Sequence, residues 1–303
     1  MSIPEGIEQD FDLARLTTVR TGGRADYYAR PSSNSSVVEL LAWASSEALE
    51  VGVIGSGSNL LVADKGFRGL VIKLDGHLTE VHFEDDGVLS GGGARLPSLA
   101  AKTAEHGLSG LEFGVNIPGT VGGAIRMNAN AYGGELASVL EWAEVATPSG
   151  IERRKPEDFE FTYRHSNIAG YQVVTRAQFR LSASSPEEVK LKLADLRDRR
   201  KAAQPAGIKT FGSTFKNPED PRAEGRTAGQ LLEAAGCKGL EQGGARFSPK
   251  HANFVENFDN ASTADVVALI AAGRERVREA FGVRLETEVQ VLGEVDAALW
   301  GPE

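Results

Sequence analysis

Apolar positions recur at helical spacing over Ser36–Leu49 (SVVELLAWASSEAL), and the short apolar run Val51–Gly55 after it predicts a buried strand. Another strand pattern runs through LLVADKGFRGLVIKL. The stretch LTEVHFEDDGVLSGGGAR then predicts a hairpin turning at Asp86-Gly87. LPSLAAKTAEHGL has Pro97 near its start and Gly107 at its end, the asymmetry of a helix. Strand patterns return in LEWAEVAT, ERRKPEDFEFTYR and YQVVTRAQFRL. Pro186 next opens a segment with an acidic start and a basic finish, which suits the helix dipole. Beyond it the pattern predicts a helix at AGQLLEAAGC, a short strand at ANFVEN, a helix at TADVVALIAAGRERVREAFG and a closing strand at RLETEVQVLG. The main domain boundary is placed before Pro186.

Glycine is distributed unevenly across this pattern. Gly55-Ser56-Gly57-Ser58-Asn59-Leu60 follows a strand but lacks the Lys-Ser/Thr pair of a Walker loop. It also lacks the third, helix-opening glycine of a dinucleotide fingerprint, because Leu60–Val62 reads as extended. Two readings remain: a loop of exposed amides and hydroxyls that wraps a pyrophosphate, or a tight strand–strand turn. In IPGTVGGAIRMNANAYGGE, Gly119, Gly122 and Gly123 bare the backbone around Thr120, permitting close approach by a flat ring or a phosphate. The cluster at Ser90 (SGGGAR) reads more simply as a strand end feeding a helix.

Composition narrows the class. A chain of 303 residues of ordinary globular composition accommodates two domains. A net charge of −9 argues against a nucleic-acid partner while leaving room for a local basic pocket. The single cysteine, Cys237, excludes an internal disulfide framework and fits a reducing compartment. The start has neither a signal-peptide n-region nor an apolar run, and no apolar stretch approaches the ~20 residues of a membrane span. A cytoplasmic protein without membrane attachment is expected. No histidine spacing suggests a metal site, since His165 beside Arg164 has no second ligand at a useful separation.

Taken in order, TTVRTGGRADYY, IGSGSNLLV, IPGTVGGAIRMNANAYGGE, FTYRHS, GSTFKNP, AGQLLEAAGCKG, GGARFSPKHANFVEN and LETEVQVLG resemble the UDP-N-acetylenolpyruvoylglucosamine reductase family from Thr17 to Gly293. Asn130 stands where that family usually has glycine, and it is expected to tolerate the same backbone because asparagine enters left-handed conformations readily. The short path from FRL to GSTFKNP resembles the branch without an inserted tyrosine-bearing loop. The resemblance implies an α+β chain. A vanillyl-alcohol-oxidase-type (PCMH-type) FAD-binding domain would occupy residues 17–185, as two subdomains split near 88. A smaller α+β substrate-binding domain would occupy 186–303.

It further implies noncovalent FAD, NADPH as reductant, and reduction of UDP-N-acetylglucosamine-enolpyruvate to UDP-N-acetylmuramate for peptidoglycan, by a monomer in the cytoplasm. The associated roles are cell-wall biogenesis, cell shape, cell division and the cell cycle. Cofactor contacts carry over to Gly55, Ser56, Gly57, Ser58, Asn59, Leu60, Pro118, Gly119, Thr120, Gly122, Gly123 and Ile125. Hydride addition to an enol ether pushes charge onto its carboxylate, so a planar cation and a proton donor are required. The resemblance assigns Arg164 to the carboxylate, Ser213 to proton donation and Glu288 to orienting or sharing in protonation. Strand alternation puts Glu286 on the same face as Glu288, so spacing leaves Glu286 as an alternative. No Gly-x-Ser-x-Gly elbow supports a nucleophilic role for Ser213. Tyr163, Lys216, Asn217, Gln230 and His251 are candidate substrate contacts. Two rivals remain at this point: another FAD oxidoreductase of the same fold acting on an alcohol or sugar, and a non-enzymatic nucleotide-binding protein. Covalent flavin attachment is disfavoured because Cys237 lies outside the cofactor domain and the two main glycine loops contain no histidine.

Overall fold

The computed structural model describes residues 3–84, 87–205 and 207–300. In chain order the principal elements are β1 (Ile7–Asp12), β2 (Arg24–Ala29), α1 (Asn34–Ser46), β3 (Glu50–Val53), β4 (Leu60–Val62), β5 (Phe67–Ile72), β6 (Val81–Glu84), β7 (Gly87–Gly91), α2 (Leu96–Glu105) and α3 (Val121–Arg126). Then come β8 (Leu140–Thr147), β9 (Gly150–Arg154), β10 (Val173–Arg180), α4 (Pro186–Ala203), α5 (Ala228–Ala234), β11 (Ala245–Phe247), β12 (Val255–Asn257), α6 (Thr263–Phe281) and β13 (Gln290–Leu292). The chain forms two compact units. The first comprises Met1–Gln9, Asp26–Ser56 and Gly69–Arg200; the second comprises Asp10–Ala25, Gly57–Arg68 and Lys201–Glu303.

A sheet of order β1-β2-β5-β3 has β3 parallel to β5, with Val51 opposite Leu70. A second sheet, of order β9-β8-β10-β7-β6, is antiparallel throughout. β10 lies at its centre and is buried at nearly every position, with Val173, Thr175, Ala177 and Phe179 alternating with Val174, Arg176, Gln178 and Arg180. Ser33 caps α1 with the reciprocal Ser36 bond, and the helix buries Val37, Leu41 and Trp43 among Leu70, Ile72 and Val173. The expected hairpin is present as β6 paired with β7, although Asp85 and Asp86 of its turn lie outside the described residues. Pro156, which has no N–H for a ladder, ends the extended run that ERRKPEDFEFTYR suggests, and a 3-10 turn follows at Pro156–Phe159.

α4 belongs to the first unit. Val189 and Leu193 are buried against Ala100 and Ala104 of α2, and each such burial contributes about 1.5–3 kcal/mol. Further along, Asn116 Nδ2 donates to Leu196 O at 2.6 Å, and Arg200 donates to the Asn116 carbonyl. The compact unit therefore runs through α4 to Arg200 rather than stopping before Pro186.

The second unit packs α5 and α6 on Phe211, Phe215 and Phe247, with Val19 and Leu61 in the same core. Gly273 makes room in α6, since a Cβ there would stand 2.5 Å from the Phe247 ring. Ser262 and Asp265 form the capping box of α6, and Gly282 ends it at φ +67°. β13 pairs in parallel with β4, placing Val291 opposite Leu61. The closing strand is shorter than its sequence suggests: before Gln290 only an isolated bridge between Thr287 and Phe215 is extended pairing.

Candidate active site

An open cleft lies in the first unit between the end of β3, the end of β5 and α3. Val53, Ile54, Leu74, Ile168 and Val174 supply apolar walls, while backbone is bared at Gly92, Gly93 and Gly123. These glycines do different work. A Cβ at Gly55 would stand 2.3 Å from Thr120 Oγ1, and one at Gly92 would stand 2.0 Å from Val174 O. Both are needed for the chain to pack on itself. Gly122 belongs with them: its Cβ would lie 3.1 Å from Val174 O and 3.2 Å from Gly92 O, because α3 sits directly on β10. Gly123 faces the cleft, with Thr120 Oγ1 at 3.4 Å as its nearest neighbour, and nothing lies within 4 Å of a Cβ at Gly119. Thr120 caps α3 through Gly123 N–H, and Ile125 is fully buried beneath the helix rather than open to a ligand. The Ser90 cluster both ends β7 and lines the cleft through Gly92 and Gly93.

Two cations in this cleft were not singled out from the sequence. Lys73 follows the buried run Leu70–Ile72, and its ammonium donates to the Gly55 carbonyl. Burial first, and then the like charges of Arg30 and Arg95, push its pKa below the usual lysine value, with Asp75 opposing. Arg126 donates to Ile168 O at 3.2 Å and Ala169 O at 3.3 Å, and burial lowers its pKa as well. A lysine ending an apolar strand is the signal that would have found Lys73. Open backbone, apolar walls and two desolvated cations fit a flat ring system carrying phosphates. Among the described residues that line the cleft there is no histidine or cysteine. Lys73→Met is expected to weaken FAD binding by about 10–100-fold, the loss of one charge-assisted hydrogen bond. Titration of apoprotein by flavin fluorescence should also show a shallower salt dependence than the parent. Affinity within about threefold of the parent would mean that Lys73 serves only the Gly55 carbonyl.

Arg164 stands in the same unit, in a loop tied to the end of α3. Ser166 Oγ donates to Arg126 O at 2.7 Å, and Asn128 Nδ2 donates to Thr162 O at 3.2 Å. Arg164 has φ +56°, donates from Nη1 to Asn130 O at 3.1 Å, and lies over the Tyr163 ring at 5.4 Å. Tyr163 is exposed. Asn130 does not adopt the expected left-handed backbone: it is extended and paired with Glu135, and the positive φ values fall on Asn128 (+39°) and Tyr132 (+52°). Strained backbone of this kind concentrates where side-chain direction matters.

Ser213 and Glu288 lie in the second unit. Ser213 is half-buried and bridges antiparallel to Phe254. Glu288 N–H donates to Thr214 O at 2.8 Å and Lys216 N–H donates to Glu286 O at 2.9 Å, so the two segments run side by side. Glu286 is 79% exposed and its carboxylate is 3.4 Å from Lys216 Nζ, whereas Glu288 is half-buried. The two glutamates of this segment thus differ in exposure. Asn59 Nδ2 donates to Glu288 O at 3.2 Å, and Gly57 adopts φ +64° against Leu16. Leu60 opens β4, while Ser58 is half-buried.

Other candidates are engaged structurally. Asn217 Oδ1 accepts from Ala228 N–H at 3.1 Å, and Gln230 Oε1 accepts from Thr227 N–H at 2.8 Å, so both serve the start of α5. His251 Nδ1 accepts from Asn253 N–H at 3.2 Å, and burial pushes its pKa down. In the first unit Pro118 is exposed and Ser56 is half-buried. Among the described residues no cluster of His, Cys, Asp and Glu is arranged for a metal ion, and no helix is long and apolar enough to cross a membrane.

Cleft and fold define an FAD-binding α+β protein with a separate C-terminal domain. Residues 25–154 match the FAD binding domain family, and residues 204–292 match the C-terminal domain of UDP-N-acetylenolpyruvoylglucosamine reductase. The reductase of Agathobacter rectalis is 43% identical over 95% of both chains, and that of Levilactobacillus brevis is 42% identical over 95% of this chain and 93% of its own. The crystal structure of the Thermus caldophilus reductase superposes with a TM-score of 0.81 at 34% identity, covering 95% of this chain and 99% of that one. The chain belongs to the UDP-N-acetylenolpyruvoylglucosamine reductase family.

Proposed function

We propose that this chain reduces UDP-N-acetylglucosamine-enolpyruvate to UDP-N-acetylmuramate, with noncovalent FAD as the hydride carrier and NADPH as the reductant, as a cytoplasmic monomer supplying peptidoglycan precursor. The observation that carries this reading is the main-chain bond from Glu288 N–H to Thr214 O at 2.8 Å, which sets the segments of the donor serine and its acidic partner side by side. Bound FAD supplies hydride transfer from the nicotinamide to the methylene carbon of the enol ether. The protein has three tasks around that chemistry. Arg164 presents a planar, permanently charged fork to the substrate carboxylate, where negative charge accumulates. Ser213 gives its Oγ proton to the carbon bearing that carboxylate. Glu288 orients the Ser213 hydroxyl or returns its proton. Lys73 and Arg126 hold the anionic and dipolar parts of the cofactor, and the apolar walls of the cleft keep water from the ring.

The direct test is anaerobic. NADPH should bleach the flavin of the purified protein, and the enolpyruvyl substrate should restore its colour with formation of UDP-N-acetylmuramate. Bleaching without recovery would leave only a flavin reductase of another substrate.

Arg164→Lys is expected to keep the charge but lose the bidentate fork. Flavin reduction by NADPH should survive while substrate-driven reoxidation falls by about 10–100-fold, the cost of one strong hydrogen bond in the transition state. Stopped-flow traces separate the two steps, and equal damage to both would mark Arg164 as a structural residue of its loop.

A further inference from the structure

We propose that Asn253 is a positioning residue for the substrate half-reaction, its buried carboxamide setting the main chain that carries Ser213. The inference rests on the reading of Ser213 as proton donor. Asn253 is 4% exposed, so each polar atom of its side chain needs a partner inside the protein. It finds both on one residue: Oδ1 accepts from Phe215 N–H at 2.9 Å, and Nδ2 donates to Phe215 O at 2.9 Å. Its own carbonyl accepts from Thr214 N–H at 2.8 Å. One asparagine thus fixes the peptide groups of the two residues that follow Ser213. Phe254, the next residue, bridges to Ser213 itself.

Two-point amide recognition specifies rotation as well as distance, which a single bond cannot do. The other side of the same segment carries main-chain bonds from Glu288 and to Glu286, and Lys216 Nζ lies 3.4 Å from the Glu286 carboxylate. Those bonds tolerate sliding by a register; the carboxamide of Asn253 does not. Gly212, immediately before Ser213, sits at φ +84°, so the loop enters the site through a turn that leaves its setting to what comes after. A proton donor displaced by about 1 Å loses roughly two orders of magnitude in rate.

Flavin-loaded full-length protein is used for the test, in four forms: parent, Ser213→Ala, Asn253→Ala and the double variant. Flavin reduction by NADPH and reoxidation by UDP-N-acetylglucosamine-enolpyruvate are timed separately. Asn253→Ala should keep its FAD and its reduction rate while reoxidation slows by about 10–100-fold. In the Ser213→Ala background the same change should cost no more than about threefold, because the group it positions is gone. Additive losses, or equal slowing of both half-reactions, would overturn the proposal. Reoxidation of Ser213→Ala at the parental rate would overturn the proposal together with the donor reading, so the two failures are distinguishable.

Asn253→Asp, of the same size, is the second variant tested at this position. Its carboxylate can still accept from Phe215 N–H but faces Phe215 O without a proton to donate. On acidification the carboxyl regains that donor, so its reoxidation rate relative to the parent should rise as pH falls. Taking the ratio at each pH cancels the groups common to both proteins: His251, bonded to the Asn253 N–H, and Lys216, Glu286 and Glu288 on the neighbouring segments. A ratio independent of pH would overturn the proposal as well.

Discussion

Ser213→Ala is expected to bind FAD and accept electrons from NADPH as the parent does, while reoxidation by the enolpyruvyl substrate slows by roughly 10²–10⁴, the range for losing a positioned general acid. That is about 3–5 kcal/mol of barrier, well beyond the 0.5–1.5 kcal/mol of an ordinary loop hydrogen bond. The substitution is clean because the loop is held by main chain and by Asn253. Thr214 N–H, Phe215 N–H and Phe215 O all keep their partners when the Ser213 hydroxyl is removed. Ser213→Cys should recover part of the rate, since a thiol delivers a proton from nearly the same place. Reoxidation of Ser213→Ala within about threefold of the parent would assign the proton to another group.

The second large effect concerns the cofactor. Gly123→Leu should yield a folded, colourless protein. The added Cβ meets only Thr120 Oγ1 at 3.4 Å, so the rest of the side chain extends into the cleft and takes the space of the ring or its phosphates. Leucine is the better helix former by up to about 1 kcal/mol, so thermal stability of the apoprotein should hold or rise. Gly122→Val is the poorer experiment: backbone oxygens at 3.1 and 3.2 Å make it a packing defect between α3 and β10 as much as a block to the cofactor. Stoichiometric FAD in purified Gly123→Leu, read from its absorbance, would remove this face of α3 from the site.

Local rules act over a few residues and were legible in the sequence. Pro97 in the first turn of α2 and Gly107 just past its end, at φ +66°, mark helix limits by omitting or satisfying backbone groups within one turn. The ordered motifs from Thr17 to Gly293 likewise identified the family and its cofactor, because each is a short stretch whose signal is carried by adjacent residues.

Other features depend on segments far apart in sequence, and only the tertiary structure decided them. The clearance at a glycine is set by whatever strand packs opposite, so Gly122 and Gly123 are indistinguishable as letters yet face a β-strand and a cleft. Lys73 becomes a desolvated cation only when the end of β5 is covered, and α4 joins the first unit only because α2 buries Val189 and Leu193. That Glu286 is exposed while Glu288 is half-buried depends on the segment paired with theirs through Phe215 and Thr287. Asn217 and Gln230 carry polar groups suited to a substrate, but the first turn of α5 leaves N–H groups that must be satisfied, and these side chains satisfy them. Sequence specifies which chemistry is available; burial and long-range pairing select which of those groups remain directed at a ligand.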